Sequence, residues 1–357
     1  MFYLINLLLI IVYYLIIKNT NRIKPEKSKK VFAILVGCHA ILFRALANPF
    51  NYVDTEGYAS AYEDLAEMSW IEFLFYSKEW GVGYVFINWV LGHISSDYTL
   101  LFVFMSIISV GPVVWFYYKT SHDMLLTMLF FLMYPMMYYM GFGVIRQHVA
   151  VAFVLLALYY SHSLKISLPL VLVACSFHTS AILVLPFYIW QKVNIQNKGF
   201  AAYVFLLVGG LLVIRFTAPM ILSQLSSNRY DEALAVGDNN NIVPVLYLGS
   251  MVLMFYLNGF SNKQMSIQEK NIVSFIMYGV IIALFSTGME HLGRTTLYYM
   301  YVLPTSFTLL SKYNRNLSTI NNIYVMLAFL LLIIQLYLSY SPEKYEYTFF
   351  WEKNYLF

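Results

Sequence analysis

Apolar runs of roughly 17–22 residues recur along this chain from end to end, and that spacing limits what it can fold into. At about 1.5 Å per residue, such a run spans a hydrocarbon core as one helix. A backbone without water must close its own hydrogen bonds, so helices rather than open sheets are expected. The runs fall at 2–17, 31–48, 81–95, 97–118, 124–140, 146–162, 166–190, 200–216, 244–258, 271–287, 296–311 and 320–339. They predict an all-α, polytopic membrane helix bundle of about 11–13 transmembrane segments, some broken or re-entrant. No inserted soluble domain, internal repeat or low-complexity linker interrupts them, so residues 1–357 read as one integral membrane domain.

Of the residues, 60% are hydrophobic and 11% charged, which excludes an ordinary soluble domain. A net charge of +4, dispersed along the chain, gives no footprint for nucleic acid. Cys38 and Cys175 both lie in apolar runs, so no disulfide framework is expected. Residues 2–17 lack a basic leader and a small-residue cleavage site and read as a retained first helix.

Lysine and arginine set the orientation. The loop 18–30 holds Lys18, Arg22, Lys24, Lys27, Lys29 and Lys30 and is assigned to the cytoplasm. Loops 191–199, 259–270 and 312–319 follow it, which places 49–80, 217–243 and 288–295 on the extracytoplasmic side. Residues 340–357, rich in Tyr, Phe and Trp, are placed along the outer interface. Strict alternation would put the Gly141–Gln147 turn in the cytoplasm and His178 in mid-membrane. Pro135 shortens 124–140, and the polar run Ser176–Ser180 divides the long segment 166–190. We therefore favour broken or re-entrant segments: 97–118 and 124–140 form a pair that does not cross fully, and Arg146 and His178 reach the outer side. Irregular backbone at that depth requires a protein-lined or watery cavity.

The chemistry concentrates in the outer segments. Residues 49–80 carry Asp54, Glu56, Glu63, Asp64, Glu67, Glu72 and Glu79 against the single cation Lys78. Asp54 is followed by Tyr58 one helical turn on. Arg44, Arg146, Arg215, Arg229 and Arg294 stand in or beside apolar runs, and Glu290 and His291 precede Arg294. Charge inside a bilayer is costly enough to mark a functional site. Several arginines facing a carboxylate suit a polyanion, because the guanidinium fork holds phosphate oxygens bidentately and keeps its charge. Plainer readings stand beside this one. Arg44 and Arg215 can snorkel to headgroups, Arg229 and Asp231 can form a surface ion pair, and His178 can bridge helices in the core. Nucleotide-cradling glycine loops, metalloprotease motifs and nucleophile elbows are absent. No cofactor and no metal are expected, since Asp54 with Glu56 is too sparse a ligand set.

The residues Arg44, Asp54-Thr55-x-x-Tyr58, Glu79 with Gly83-Tyr84, and Ile145-Arg146-Gln147 follow one known pattern. Phe177-His178-Thr179-Ser180-Ala181 with Pro186, Arg229-Tyr230 and Arg294-x-x-x-Tyr298 extend it. The chain thereby resembles the EpsG family, which is similar to Wzy-type O-antigen, capsule and exopolysaccharide polymerases. Val53 stands where a small residue often precedes the aspartate, and Glu290-His291 has no assigned counterpart.

The resemblance implies a glycosyltransferase of the bacterial inner membrane with its active site outside, resembling membrane-embedded GT-C-type enzymes. Its substrate is an oligosaccharide on undecaprenyl pyrophosphate, and a flippase and a chain-length regulator are candidate partners. Asp54 is then the catalytic base. Arg44, Tyr58, Arg146, His178, Arg229, Tyr230 and Arg294 are the substrate-binding set. Another polyprenyl-phosphate-sugar-dependent glycosyltransferase, a flippase for the same lipid and a membrane acyltransferase using His178 are the alternatives.

Overall fold

The structure, a computed structural model, describes residues 2–19, 25–52, 54–69, 71–72, 80–194, 198–224, 242–260, 265–287, 293–313, 318–339 and 347–351. It is helical, and the described residues pair as strand only at the isolated bridge Ala47–Phe349. Helices α1 (Phe2–Asn19) and α2 (Pro25–Ala45) lead to the short helix α3 (Thr55–Ala66). Then come α4 (Val82–Gly92), α5 (Thr99–Thr120), α6 (Met124–Met133), α7 (Ile145–Tyr159) and α8 (Leu164–Phe177). After a 3-10 turn, α9 (Phe187–Lys192), α10 (Phe200–Gln224), α11 (Val243–Leu257), α12 (Ile267–Ser286), α13 (Leu303–Tyr313) and α14 (Ser318–Ser339) complete the bundle.

Among the described residues two helices, α5 and α12, are long and apolar enough to cross a membrane. The apolar span of α12 is 83% buried against 50% for α5, which makes α12 the central helix of its half. It packs against α9, α10 and α11, while α2, α5, α7 and α8 pack in succession on the other side. Large apolar side chains point outward from α10 and α14: Phe205 is 78% exposed and Tyr337 81%. A helix apolar on its outer as well as its inner face belongs in lipid.

Caps explain several ends. The Asp123 carboxylate accepts from the Leu126 amide at 3.0 Å and starts α6. Ser266 and Glu269 form a reciprocal capping box on α12. Pro135 cannot continue α6 and disfavours helical backbone just before it, so the helix ends at Met133.

The breaks expected at Pro135 and His178 occur, and one more is added. At 10 residues α6 is about 15 Å long, half a hydrocarbon core. Segment 166–190 divides at His178 into α8, the 3-10 turn Thr179–Val184 and α9. Of the pair 97–118 and 124–140, expected not to cross fully, only the second member is short. The 22 residues of α5 extend about 33 Å, enough to span. Segment 296–311 is also divided, at Tyr301–Val302, between the turn Leu297–Met300 and α13.

Candidate functional site

Thr55 anchors the turn that presents Asp54. Its hydroxyl donates to the Tyr52 carbonyl at 2.6 Å and also to that of Pro49. Asp54 itself has φ +68°, a left-handed conformation that Asp tolerates better than most residues, and its side chain is exposed. One turn along α3, Tyr58 points inward and is buried. Its phenol meets Arg146, which enters from the first turn of α7.

The Arg146 guanidinium is held in an aromatic cage. It lies 5.6 Å from the Tyr58 ring centroid, 5.0 Å from Trp80 and 5.6 Å from Tyr84. Its Nε donates to the Tyr58 hydroxyl at 3.4 Å and its Nη1 to the Trp80 carbonyl at 2.6 Å. Its Nη2 has no protein acceptor among the described residues, and the side chain remains partly exposed. Burial pushes the Tyr58 phenol above its ordinary range, and the Arg146 charge only partly opposes this, so the phenol stays neutral.

Two glycines bring α8 to the cage. Gly81 has φ +87°, and a Cβ there would come within 2.7 Å of the Ser176 carbonyl. A Cβ on Gly83 would collide with the Ser176 side chain. The Trp80–Gly83 turn therefore lies directly on the end of α8, where the helix breaks at His178. His178 Nδ1 is 2.6 Å from the Ser180 hydroxyl, which is 2.9 Å from the hydroxyl of the fully buried Tyr298. Gln147 donates to the Arg294 carbonyl at 2.9 Å and ties α7 to the turn before Tyr298. Asp54, Arg146 and Arg294 all act electrostatically on Tyr58, and both arginines act on His178. Asp54, Tyr58, Arg146, His178 and Arg294 thus share one neighbourhood.

Arg44 does not join them. It is buried between α2, α5 and the turn after α6, donating to Ser109 Oγ at 3.1 Å and the Tyr138 carbonyl at 2.6 Å. It stacks 4.9 Å from the Tyr138 ring and 5.4 Å from Phe142. Snorkelling to headgroups does not describe it. Arg229 and Tyr230 lie outside the described residues, as do Glu290 and His291, and nothing is described of the Arg215 side chain.

Trp80 was not singled out by sequence reasoning, although the Gly81-x-Gly83 spacing beside it marks a close backbone approach. Ser180 and Tyr298 stood inside motifs without a role. The tail residues 347–351 pack on the end of α2 just before Asp54, where the Asn48 amide donates to the Thr348 carbonyl at 2.8 Å and Phe350 N to Leu46 O at 3.0 Å. Among the described residues, no group of three His, Cys, Asp or Glu is placed to hold a metal ion.

Comparison with curated proteins and with solved structures gives no match. The model of the EpsG family matches residues 34–349, which takes in every site residue above. A match over that much of its length makes the chain a member of the EpsG family, membrane proteins of the polysaccharide-polymerase kind.

Proposed function

We propose that this protein is a polysaccharide polymerase of the O-antigen, capsule or exopolysaccharide type, with its site on the outer face of the bacterial inner membrane. The donor is a glycan on undecaprenyl pyrophosphate and the acceptor a newly delivered lipid-linked repeat unit. The observation that carries this reading is the caged Arg146 guanidinium, held against Tyr58, which itself stands one helical turn of α3 from the exposed Asp54.

In this reading the acceptor hydroxyl oxygen attacks the anomeric carbon of the donor glycan. The bond from that carbon to the pyrophosphate oxygen breaks, and the lipid pyrophosphate departs with the electron pair. Asp54 takes the proton from the acceptor hydroxyl. Arg146 and Arg294 meet the negative charge that develops on the leaving group, where preorganised donors act most strongly. The open Nη2 of Arg146 and the neutral phenol of Tyr58 supply donors without reorganisation. If Tyr298 donates to Ser180 and Ser180 to His178 Nδ1, then His178 Nε2 carries the proton and donates to a phosphate or sugar oxygen. Arg229 and Tyr230 belong to the same proposal as further substrate contacts, and Arg44 as a residue that holds the bundle behind the site. A GT-C-like arrangement, and a flippase and a chain-length regulator as partners, complete it.

The test is the glycan ladder of cells carrying Asp54→Asn or Arg146→Ala. Accumulation of single-unit caps with normal protein levels is expected. Wild-type chain lengths in both variants would remove the assignment, and wholly uncapped lipid would point to a flippase.

A further inference from the structure

A groove of about 470 Å³ runs between α2 and α5, far in sequence from the Arg146 cage. Its apolar wall is formed by residues such as Ile34, Ile41 and Val114. At one end, where α2 begins and α5 finishes, Lys30 and Lys119 line it beside Trp115 and Tyr118. Lys119 Nζ lies 5.9 Å from the Trp115 ring and 5.4 Å from Tyr118, and Lys29 Nζ lies 5.5 Å from Tyr118 on the same end. Lys29 donates to the Ser121 carbonyl at 2.6 Å and is repelled by Lys119. Among the described residues, none of these three lysines forms an ion pair, and no acidic side chain lines the groove.

The shape matches the charge. Gly111 opens the wall: a Cβ there would meet no atom within 4 Å. Cys38 is exposed in the same groove. An apolar channel of this kind, headed by unpaired ammonium groups and interfacial aromatic rings, complements a molecule with a hydrocarbon chain and an anionic head. Basic recesses between helices on the cytoplasmic side of a membrane attract such headgroups, and the basic loop 18–30 marks that side here.

We propose that the α2–α5 groove is a binding site for an anionic phospholipid, with its phosphate on Lys30 and Lys119 and an acyl chain along Ile34, Cys38 and Gly111. The site is separate from the polymerase reading and does not depend on it.

The full-length protein, purified from vesicles of equal phosphatidylglycerol and phosphatidylcholine, is examined by native mass spectrometry. Wild type is expected to retain phosphatidylglycerol in preference to phosphatidylcholine. The Lys30→Gln/Lys119→Gln variant should lose about tenfold of that preference, and Gly111→Leu should lose it with both lysines in place. Excess inorganic phosphate should not displace the retained lipid; displacement would mean that the lysines bind phosphate alone, and the groove assignment would fall. In a Cys175→Ser background, maleimide labelling of Cys38 should be slower in phosphatidylglycerol than in phosphatidylcholine vesicles. Equal retention of both lipids by wild type, or an unchanged preference in the double lysine variant, would overturn the proposal.

Discussion

Arg146 and Trp80 hold each other twice: the guanidinium donates to the Trp80 carbonyl at 2.6 Å and lies 5.0 Å from the centroid of the same residue's ring. One contact fixes the direction of the fork and the other its height above the indole. A lysine offers one flexible point charge and cannot reproduce both. Arg146→Lys is therefore expected to reduce polymer output by about tenfold or more, given roughly 1.5–3 kcal/mol for a hydrogen bond to a charged group. Membrane abundance should stay near wild type. The measurement is the ratio of multi-unit to single-unit glycan, normalised to protein.

Asp54 is a clean site for removing charge alone. Asparagine tolerates the left-handed backbone at φ +68° as readily as aspartate does, so Asp54→Asn should fold normally. If the carboxylate is the base, polymer formation falls about 10²- to 10⁴-fold. A loss below about threefold with an intact ladder would leave Asp54 as a turn residue only.

Gly81 is where backbone geometry supports the cage. Gly81→Ala places a methyl against the Ser176 carbonyl at a φ of +87°, which strains a non-glycine residue by on the order of 1–3 kcal/mol. The Trp80 carbonyl then shifts away from Arg146. The expected result is partial loss of polymer, with protein levels reduced by less than in a core deletion. Quantitative blotting beside the ladder separates the two effects.

The positions of the helices were legible because apolar run length and polar interruptions report directly on bilayer thickness and chain breaks. Pro135 and the Ser176–Ser180 run marked two discontinuities in advance. The break at Tyr301–Val302 carries a mark of the same kind that sequence reasoning passed over. Pro304 has no N–H for the Met300 carbonyl and its ring crowds it, so the turn Leu297–Met300 cannot run on into α13. The Tyr301 hydroxyl, donating to the Met137 carbonyl, holds the turn in place. At the site, some residues carried a mark and others did not. Asp54, Tyr58 and Arg146 could be picked out because charge and spacing are sequence properties. Trp80 could not, since one more aromatic among 60 Tyr and Phe residues carries no signal until the fold sets it under a guanidinium. Arg44 looked like its fellow arginines, and only packing turned it inward.

Ser180 links His178 to Tyr298 through contacts of 2.6 and 2.9 Å. Ser180→Ala deletes both and leaves a buried phenol without that partner, whereas Tyr298→Phe removes only the far end. Polymer yield should therefore fall more in Ser180→Ala than in Tyr298→Phe, by about thirtyfold in the former against about fivefold in the latter, in keeping with roughly 1 kcal/mol for each bond lost. A larger effect of Tyr298→Phe would mean that the phenol acts on substrate by another route.

Arg44 separates support from chemistry. Its guanidinium meets the Tyr138 carbonyl, the Ser109 hydroxyl and two ring faces, all within the protein, while its buried Nε has no hydrogen-bond partner among the described residues. Arg44→Ala removes these together and leaves a void beside Gly141, whose missing Cβ makes room for the guanidinium. A stability loss of about 3 kcal/mol is expected from the charged hydrogen bonds and cation–π contacts combined. Abundance in the membrane should fall severalfold, while polymer formed per folded molecule stays within about twofold of wild type, because activity follows the surviving folded fraction. Gly141→Ala should mimic it, since the added methyl lands on the guanidinium. Normal abundance of Arg44→Ala with a ladder collapsed to single units would show instead that Arg44 reaches substrate, and that the inward packing seen here is only one of its positions.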